Sequence, residues 1–245
     1  MMRTASKERA TGCSIQLSDA TGFPRALPPV RKIGLGRRAL AGLMPGAKLP
    51  DDEIARFESS LERDFFVLLE FNPDVQRWDP QPVRLPVEKT GTDYVPDVLV
   101  SFYPGTNGGD PRRILYEVKY REELRLRWND YKPRFQAARR YAKEFGWEFK
   151  IITEREIRDG GLLWNAKFLL PYIYDEPDDI GTVLLEAGLR RLGPTTPTAL
   201  LQASSSDRWE QARLLTTLWN LVACRYVHTD LTCPLNMNSE IWLHE

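Results

Sequence analysis

Apolar residues early in the chain recur at spacings of three and four. Ile54, Phe57, Leu61, Phe65, Leu68 and Leu69 form one stripe, which predicts a helix opened by Pro50-Asp51-Asp52 and stopped at Asn72-Pro73. The period then changes. After a short connection holding Trp78, QPVRLPV reads as a strand that its prolines confine to an edge. YVPDVLVSF and RRILYEVKY are rich in β-branched and aromatic residues, and PGTNGGDP between them is turn chemistry, so the pair forms a hairpin. Asn129 or Asp130 can cap a second helix with Pro133 in its first turn, a stripe of Phe135, Ala138, Ala142 and Phe145, and Gly146 as its stop. WEFKIIT is then a strand reached through a crossover helix, which should lie parallel to the strand of Glu117. Thr153 and Glu156 have the spacing of a capping box for a further short helix.

Beyond Pro177 the pattern is helical again. Residues 178 to 192 carry Ile180, Leu184, Leu185 and Leu189, and residues 207 to 223 carry Trp209, Ala212, Leu215, Leu218, Trp219 and Val222. The linker GPTTPTALLQASSSD supports a turn or short helix, and YVHTDLTCPLNMNSEIW a β wing. The fold class is therefore α/β: a mixed sheet flanked by helices, followed by a small helical, winged-helix-like C-terminal module. Residues 1–50 form an irregular basic arm, 51–175 the α/β core and 176–245 the module.

The central hairpin carries the candidate chemistry. Side chains alternate along a strand, so Glu117 and Lys119 share one face with Cα atoms roughly 6.5 to 7 Å apart. Their neighbours Val98, Val100, Tyr116 and Val118 are mostly apolar, and ionised groups in such a sheet are rare unless they are paired or bind a metal. Asp97 on the other strand adds a second carboxylate. Oxygens to hold a hard cation, with a lysine beside them, are what metal-assisted phosphodiester hydrolysis needs. Glu62 lies at the edge of the first helix's apolar stripe, where a carboxylate wants a cation; Glu58, one turn earlier, competes with it.

Composition adds local charge. The 245 residues are 42% hydrophobic and 28% charged with a formal net charge of zero, an ordinary globular composition. Residues 1–50 hold nine bases against two acids, residues 112–158 fourteen against eight, and residues 175–245 five against ten. Arg31, Lys32, Arg37 and Arg38 around Gly34 and Gly36, and Lys132, Arg134, Arg139 and Arg140 on the second helix, are the candidate contacts to a phosphate backbone. The acidic tail suits a protein partner. No membrane-spanning run or secretory signal is visible, so a cytoplasmic location is expected. Cys224, His228 and Cys233 lack a C-x-x-C pair, which argues against zinc.

Pro96-Asp97 and Glu117-Val118-Lys119 together resemble the PD-(D/E)xK nuclease motif. With FESSLERDFFVLLEFNPDVQRWDPQPV, YVPDVLVSF, YEVKY and IITEREI in this order, residues 50 to 175 resemble the TnsA-type endonuclease subunit of heteromeric transposases. The resemblance implies a restriction-endonuclease-like core and a DNA endonuclease that cuts the 5′, non-transferred strand of each transposon end. It also implies a DDE transposase and an AAA+ regulator as partners, and Glu62 as an active-site residue. On this view Asp97, Glu117 and the Val118 carbonyl hold Mg²⁺, for which Mn²⁺ can substitute; Glu62 holds or orients a second ion, and Lys119 positions water or stabilises charge. Glu117 stands where some members of the family carry glutamine, and Gln81-Pro82, which also matches the family pattern, is assigned to structure. Two alternatives use the same residues differently: a free-standing restriction or repair nuclease, which would cut DNA alone, and a non-catalytic adaptor, against which Asp97, Glu117 and Lys119 argue.

Overall fold

The structure, a computed structural model, describes residues 41–50, 53–105, 109–176 and 178–243. Arg31, Lys32, Arg37 and Arg38 and the Asp51-Asp52 pair lie outside the described residues. Gly42–Pro45, assigned above to an irregular arm, is a strand (β1) paired antiparallel with Ile54–Phe57 (β2). Ile54 and Phe57 therefore do not belong to the first helix. In β2 exposure alternates, with Ala55 and Phe57 buried, and this period of two overrides the wider spacing. The helix α1 runs from Ser60 to Phe71, and its N-cap is Ser59, whose side chain accepts the Glu62 N–H.

Four strands form the central sheet in the order β3 (Val75–Pro80), β6 (Val98–Phe102), β7 (Arg113–Val118) and β8 (Glu148–Ile152). The first three are antiparallel neighbours, and β7 and β8 run parallel, so the sheet is mixed. Trp78, placed by the sequence in a connection, is fully buried on β3. QPVRLPV yields a strand only at Leu85–Val87 (β4), which pairs with Thr92–Tyr94 (β5) as a hairpin outside the central sheet.

The crossover from β7 to β8 is α2, Arg121–Glu144, which starts directly after the sheet and not at Asn129 or Asp130. Glu122 and Glu123 suit its first turn, and a break at Arg127 (φ −119°, ψ 24°) joins two helical pieces. Phe145, read as the end of the stripe, is half exposed at the C-cap, and Gly146 follows with φ +69°. The capping box of Thr153 and Glu156 opens α3 (Glu154–Arg158). A helix with no sequence expectation, α4 (Leu162–Ile173), comes next; LLWNAKFLLPYI is apolar nearly all round, which hides its period.

Alternation along β6 sorts the core into two sides. Val98 and Val100 pack with α1, whereas Leu99 joins Leu115, Leu85, Val87, Tyr94, Ala137 and Ala138 under α2 and the β4–β5 hairpin. The C-terminal region is three helices, α5 (Asp179–Leu192), α6 (Pro197–Ser204) and α7 (Arg208–Ala223), with an antiparallel pair of β9 (Val227–Thr229) and β10 (Ile241–Leu243). Its buried Leu185, Leu200 and Leu218 belong to the same core cluster as α1 and α4. No described helix is long and apolar enough to cross a membrane.

Candidate active site

Asp97 stands one residue ahead of β6, and Glu117 and Val118 end β7. The antiparallel register Val98↔Tyr116 sets these strand ends side by side. Val118 donates its N–H to Asp97 Oδ2 at 2.7 Å. Lys119 follows, its own N–H still in the ladder to Ile152 O at 3.1 Å, and its ammonium turns back over the strand ends. There Nζ lies 2.9 Å from Glu117 Oε1 and 3.6 Å from Asp97 Oδ2, and donates to the Val118 carbonyl at 3.1 Å.

Glu62 approaches from the N-terminus of α1. Ser59 donates its hydroxyl to Oε1 at 3.0 Å and Glu58 its N–H to Oε2 at 2.8 Å, which fixes the carboxylate on the helix end. Burial and the charge of Asp97 push its carboxyl up to about 7 against these bonds and the charge of Lys119. Glu117 is more deeply buried, and burial together with Asp97 raises it to about 8, although Lys119 and Tyr94 oppose the rise. Burial pulls the Lys119 ammonium down, but Asp97 and Glu117 outweigh it and hold the group well above its ordinary value. Three carboxylates thus share one ammonium. The site is short of positive charge.

That shortage tests whether a hard cation fits. Oxygens of Asp97, Glu117 and Val118 already converge on a single cationic atom, and all are donors that Mg²⁺ or Mn²⁺ accepts. The residues fit such an ion. No set of three or more His, Cys, Asp or Glu side chains among the described residues is gathered closely enough to hold one without the carbonyl and some movement of Lys119.

The four candidate phosphate contacts on α2 separate. Lys132, Arg139 and Arg140 are exposed and form no ion pair among the described residues, whereas Arg134 is half-buried beside Tyr131, whose ring also faces Lys119.

Two participants, Tyr94 and Asp64, had no role expected from the sequence, and Gln81, expected to be structural, proves to support the site directly. Tyr94, from β5, donates its phenol to Glu117 Oε2 at 2.5 Å; burial, then Glu117 and Asp97, push that phenol well above its usual range. Gln81, with φ +48°, donates its N–H to the Asp97 carbonyl at 2.8 Å, so the QP pair braces the strand end that carries Asp97. Asp64, one turn inside α1, is nearly fully buried and binds Arg158 at 2.8 Å and Lys167 at 2.7 Å, tying α3 and α4 to the helix of Glu62. The Ser59-x-x-Glu62 spacing was a readable sign of the true helix start; nothing local marked Tyr94 or Asp64.

A comparison with protein-family models matches residues 72–154 to the TnsA-like endonuclease N-terminal domain. No curated protein matches the chain. The matched stretch contains Asp97, Glu117, Val118, Lys119 and Arg134, and Glu62 lies just ahead of it. At the level of the family this supports a transposase nuclease subunit. Over residues 72–154 the chain is similar to the TnsA-like endonuclease N-terminal family.

Proposed function

We propose that the chain is a metal-dependent DNA endonuclease that cleaves the 5′, non-transferred strands at transposon ends, alongside a DDE transposase and an AAA+ regulator. The observation that carries this is the convergence of Asp97, Glu117 and Val118 oxygens on one cation inside the family-matched stretch. Asp97, Glu117 and the Val118 carbonyl would hold Mg²⁺ or Mn²⁺, with Glu62 holding or orienting a second; such an ion supplies Lewis-acid polarisation and a more acidic water. Hydrolysis forms one bond from the water oxygen to phosphorus and breaks the bond to the leaving oxygen, which takes up a proton. Lys119, with three N–H donors, orients the water or meets the phosphate oxygens as their negative charge grows. Its contacts with Val118 and Glu117 hold the ammonium beside the site, and it would shift aside when an ion takes those oxygens.

We read residues 176–245 as a winged-helix-like module that meets protein, because five bases against nine acids suit a partner surface better than a phosphate backbone. Sequence-specific placement then comes from the transposase. The test is cleavage of transposon-end DNA by the full chain with its transposase in Mg²⁺ or in EDTA. Loss in EDTA and its return with Mg²⁺ or Mn²⁺ is expected; cleavage that survives EDTA, or that requires zinc, contradicts the metal assignment.

A further inference from the structure

The ring of Tyr131 on α2 is surrounded by cations. Lys119 Nζ lies 6.0 Å from its centroid, Arg127 Cζ 5.3 Å and Arg134 Cζ 5.9 Å. Two of the three are already matched by carboxylates. Lys119 is held by Glu117 and Asp97, and Arg127 reaches Asp130 at 3.4 Å and Glu123 at 4.0 Å. Arg134 has neither an ion pair nor a hydrogen bond among the described residues, and its Nε–H is buried without an acceptor. Its neighbourhood is the active site: its charge acts on Tyr94, whose hydroxyl holds Glu117, and it shares the Tyr131 ring with Lys119.

A half-buried guanidinium whose Nε–H has lost water and found no oxygen is an unfinished interaction. The planar fork of Nε and Nη matches two oxygens of one phosphate, which a lysine ammonium cannot reproduce. A carboxylate ligand would add to the three already crowded at the strand ends; a backbone phosphate of the strand being cut is the anion that the endonuclease reading brings to this place. We propose that Arg134 is a catalytic residue that clamps a phosphate at, or next to, the cleaved linkage through Nε and Nη. This rests on the endonuclease reading and separates Arg134 from Lys132, Arg139 and Arg140, which as exposed cations would contribute only general attraction.

The test is single-turnover cleavage of transposon-end DNA by the full chain with its transposase, at saturating DNA. Wild type, Arg134→Ala and Arg134→Lys are compared on substrates carrying one neutral methylphosphonate at each linkage around the cut. Arg134→Ala should slow cleavage by ~10² with little change in DNA affinity, the size expected for one lost donor to developing charge. One methylphosphonate position should slow the wild type strongly yet cost the alanine variant no further rate, while the other positions slow both alike. Arg134→Lys, which keeps the charge without the fork, should recover part of the rate and part of that position's penalty, a pattern that a folding defect does not produce. A wild type that cuts while Arg134→Ala cuts equally fast, or an alanine variant that keeps every methylphosphonate penalty, overturns this role alone. A wild type that cuts nothing in Mg²⁺ overturns the endonuclease reading and the clamp with it.

Discussion

Tyr94 donates its phenolic hydrogen to Glu117 Oε2 across 2.5 Å, from a hairpin that lies outside the central sheet. One carboxylate oxygen is thereby fixed, and Oε1 is left to face Lys119 at 2.9 Å. Partners of this kind, once removed, commonly cost ~10 to 100-fold in metal affinity or activity. Tyr94→Phe should therefore raise the Mg²⁺ concentration needed for half-maximal cleavage by about tenfold while the fold is kept, because the ring stays buried. A Mg²⁺ titration of cleavage rate checks this, and an unchanged midpoint would show that the hydroxyl does not set Glu117.

Asp97→Ala, Glu117→Ala and Lys119→Ala should each abolish detectable strand cleavage, with rate losses of at least ~10² to 10³. Partner binding should be untouched. Glu62→Ala should also lose activity, by less, since Glu62 is held on the rim by Ser59 and Glu58 and does not contact Lys119 directly. Cleavage at the wild-type rate by the Asp97 and Glu117 variants would remove the site from consideration.

The raised carboxyls give a dependence on pH with a definite sign. Glu62 and Glu117 favour the protonated form in the fold, near 7 and near 8 against an ordinary 4.5. Their contribution to stability is full below the unfolded value and is lost as pH rises through the folded values. The metal-free chain should lose melting temperature from pH 5 to pH 9. Mg²⁺ at a hundred times its dissociation constant should restore ~2.7 kcal/mol at the alkaline end, roughly 5 to 10 °C for a chain of this size. Thermal melts in EDTA and in Mg²⁺ across that range decide it; a Tm that climbs with pH in EDTA has the wrong sign.

Asp64 should behave in the opposite way. Burial alone would raise its carboxyl, but hydrogen bonds from Lys167, Arg63 and Arg158 outweigh burial and hold it below its ordinary value. Its stabilisation is present above the unfolded pKa, ~4, and is lost as pH falls through the folded one. Asp64→Asn should cost ~2 kcal/mol at pH 7, less than a fully enclosed pair because the three cations keep partial access to water, and less again at pH 3. Urea unfolding at the two pH values gives the difference; equal losses would mean that the carboxylate's charge is not what binds α1, α3 and α4 together.

Much of this site could be read from the sequence because it depends on short-range rules. Alternation on a strand put Glu117 with Lys119, a turn-rich loop put Asp97 on the neighbouring strand, and a crossover helix made β8 parallel to β7. Where the sequence misled, two periods overlapped. Phe57 fits both a helical stripe and the alternation of β2, and only the pairing of β2 with β1 resolves it. Trp78 looked like a loop residue because VQRWDP mixes charge into a strand, but Arg77 and Asp79 pair with each other and release the indole to the core. Long-range contacts left no trace at all. Tyr94 to Glu117 and Asp64 to Arg158 join residues far apart in the chain, and Arg134 stood out only once its partners could be counted.

The central claim is that these residues cut one defined strand. The most direct measurement uses transposon-end DNA labelled separately at each strand, incubated with the full chain, with its transposase, or with both, in Mg²⁺. Cleavage at the 5′ ends only when both proteins are present, lost with Asp97→Ala or Glu117→Ala, is the expected result. Efficient site-specific cutting by this chain alone would identify a free-standing nuclease, and cutting at the 3′ ends, or 5′ cutting that survives both substitutions, would contradict the role assigned to it.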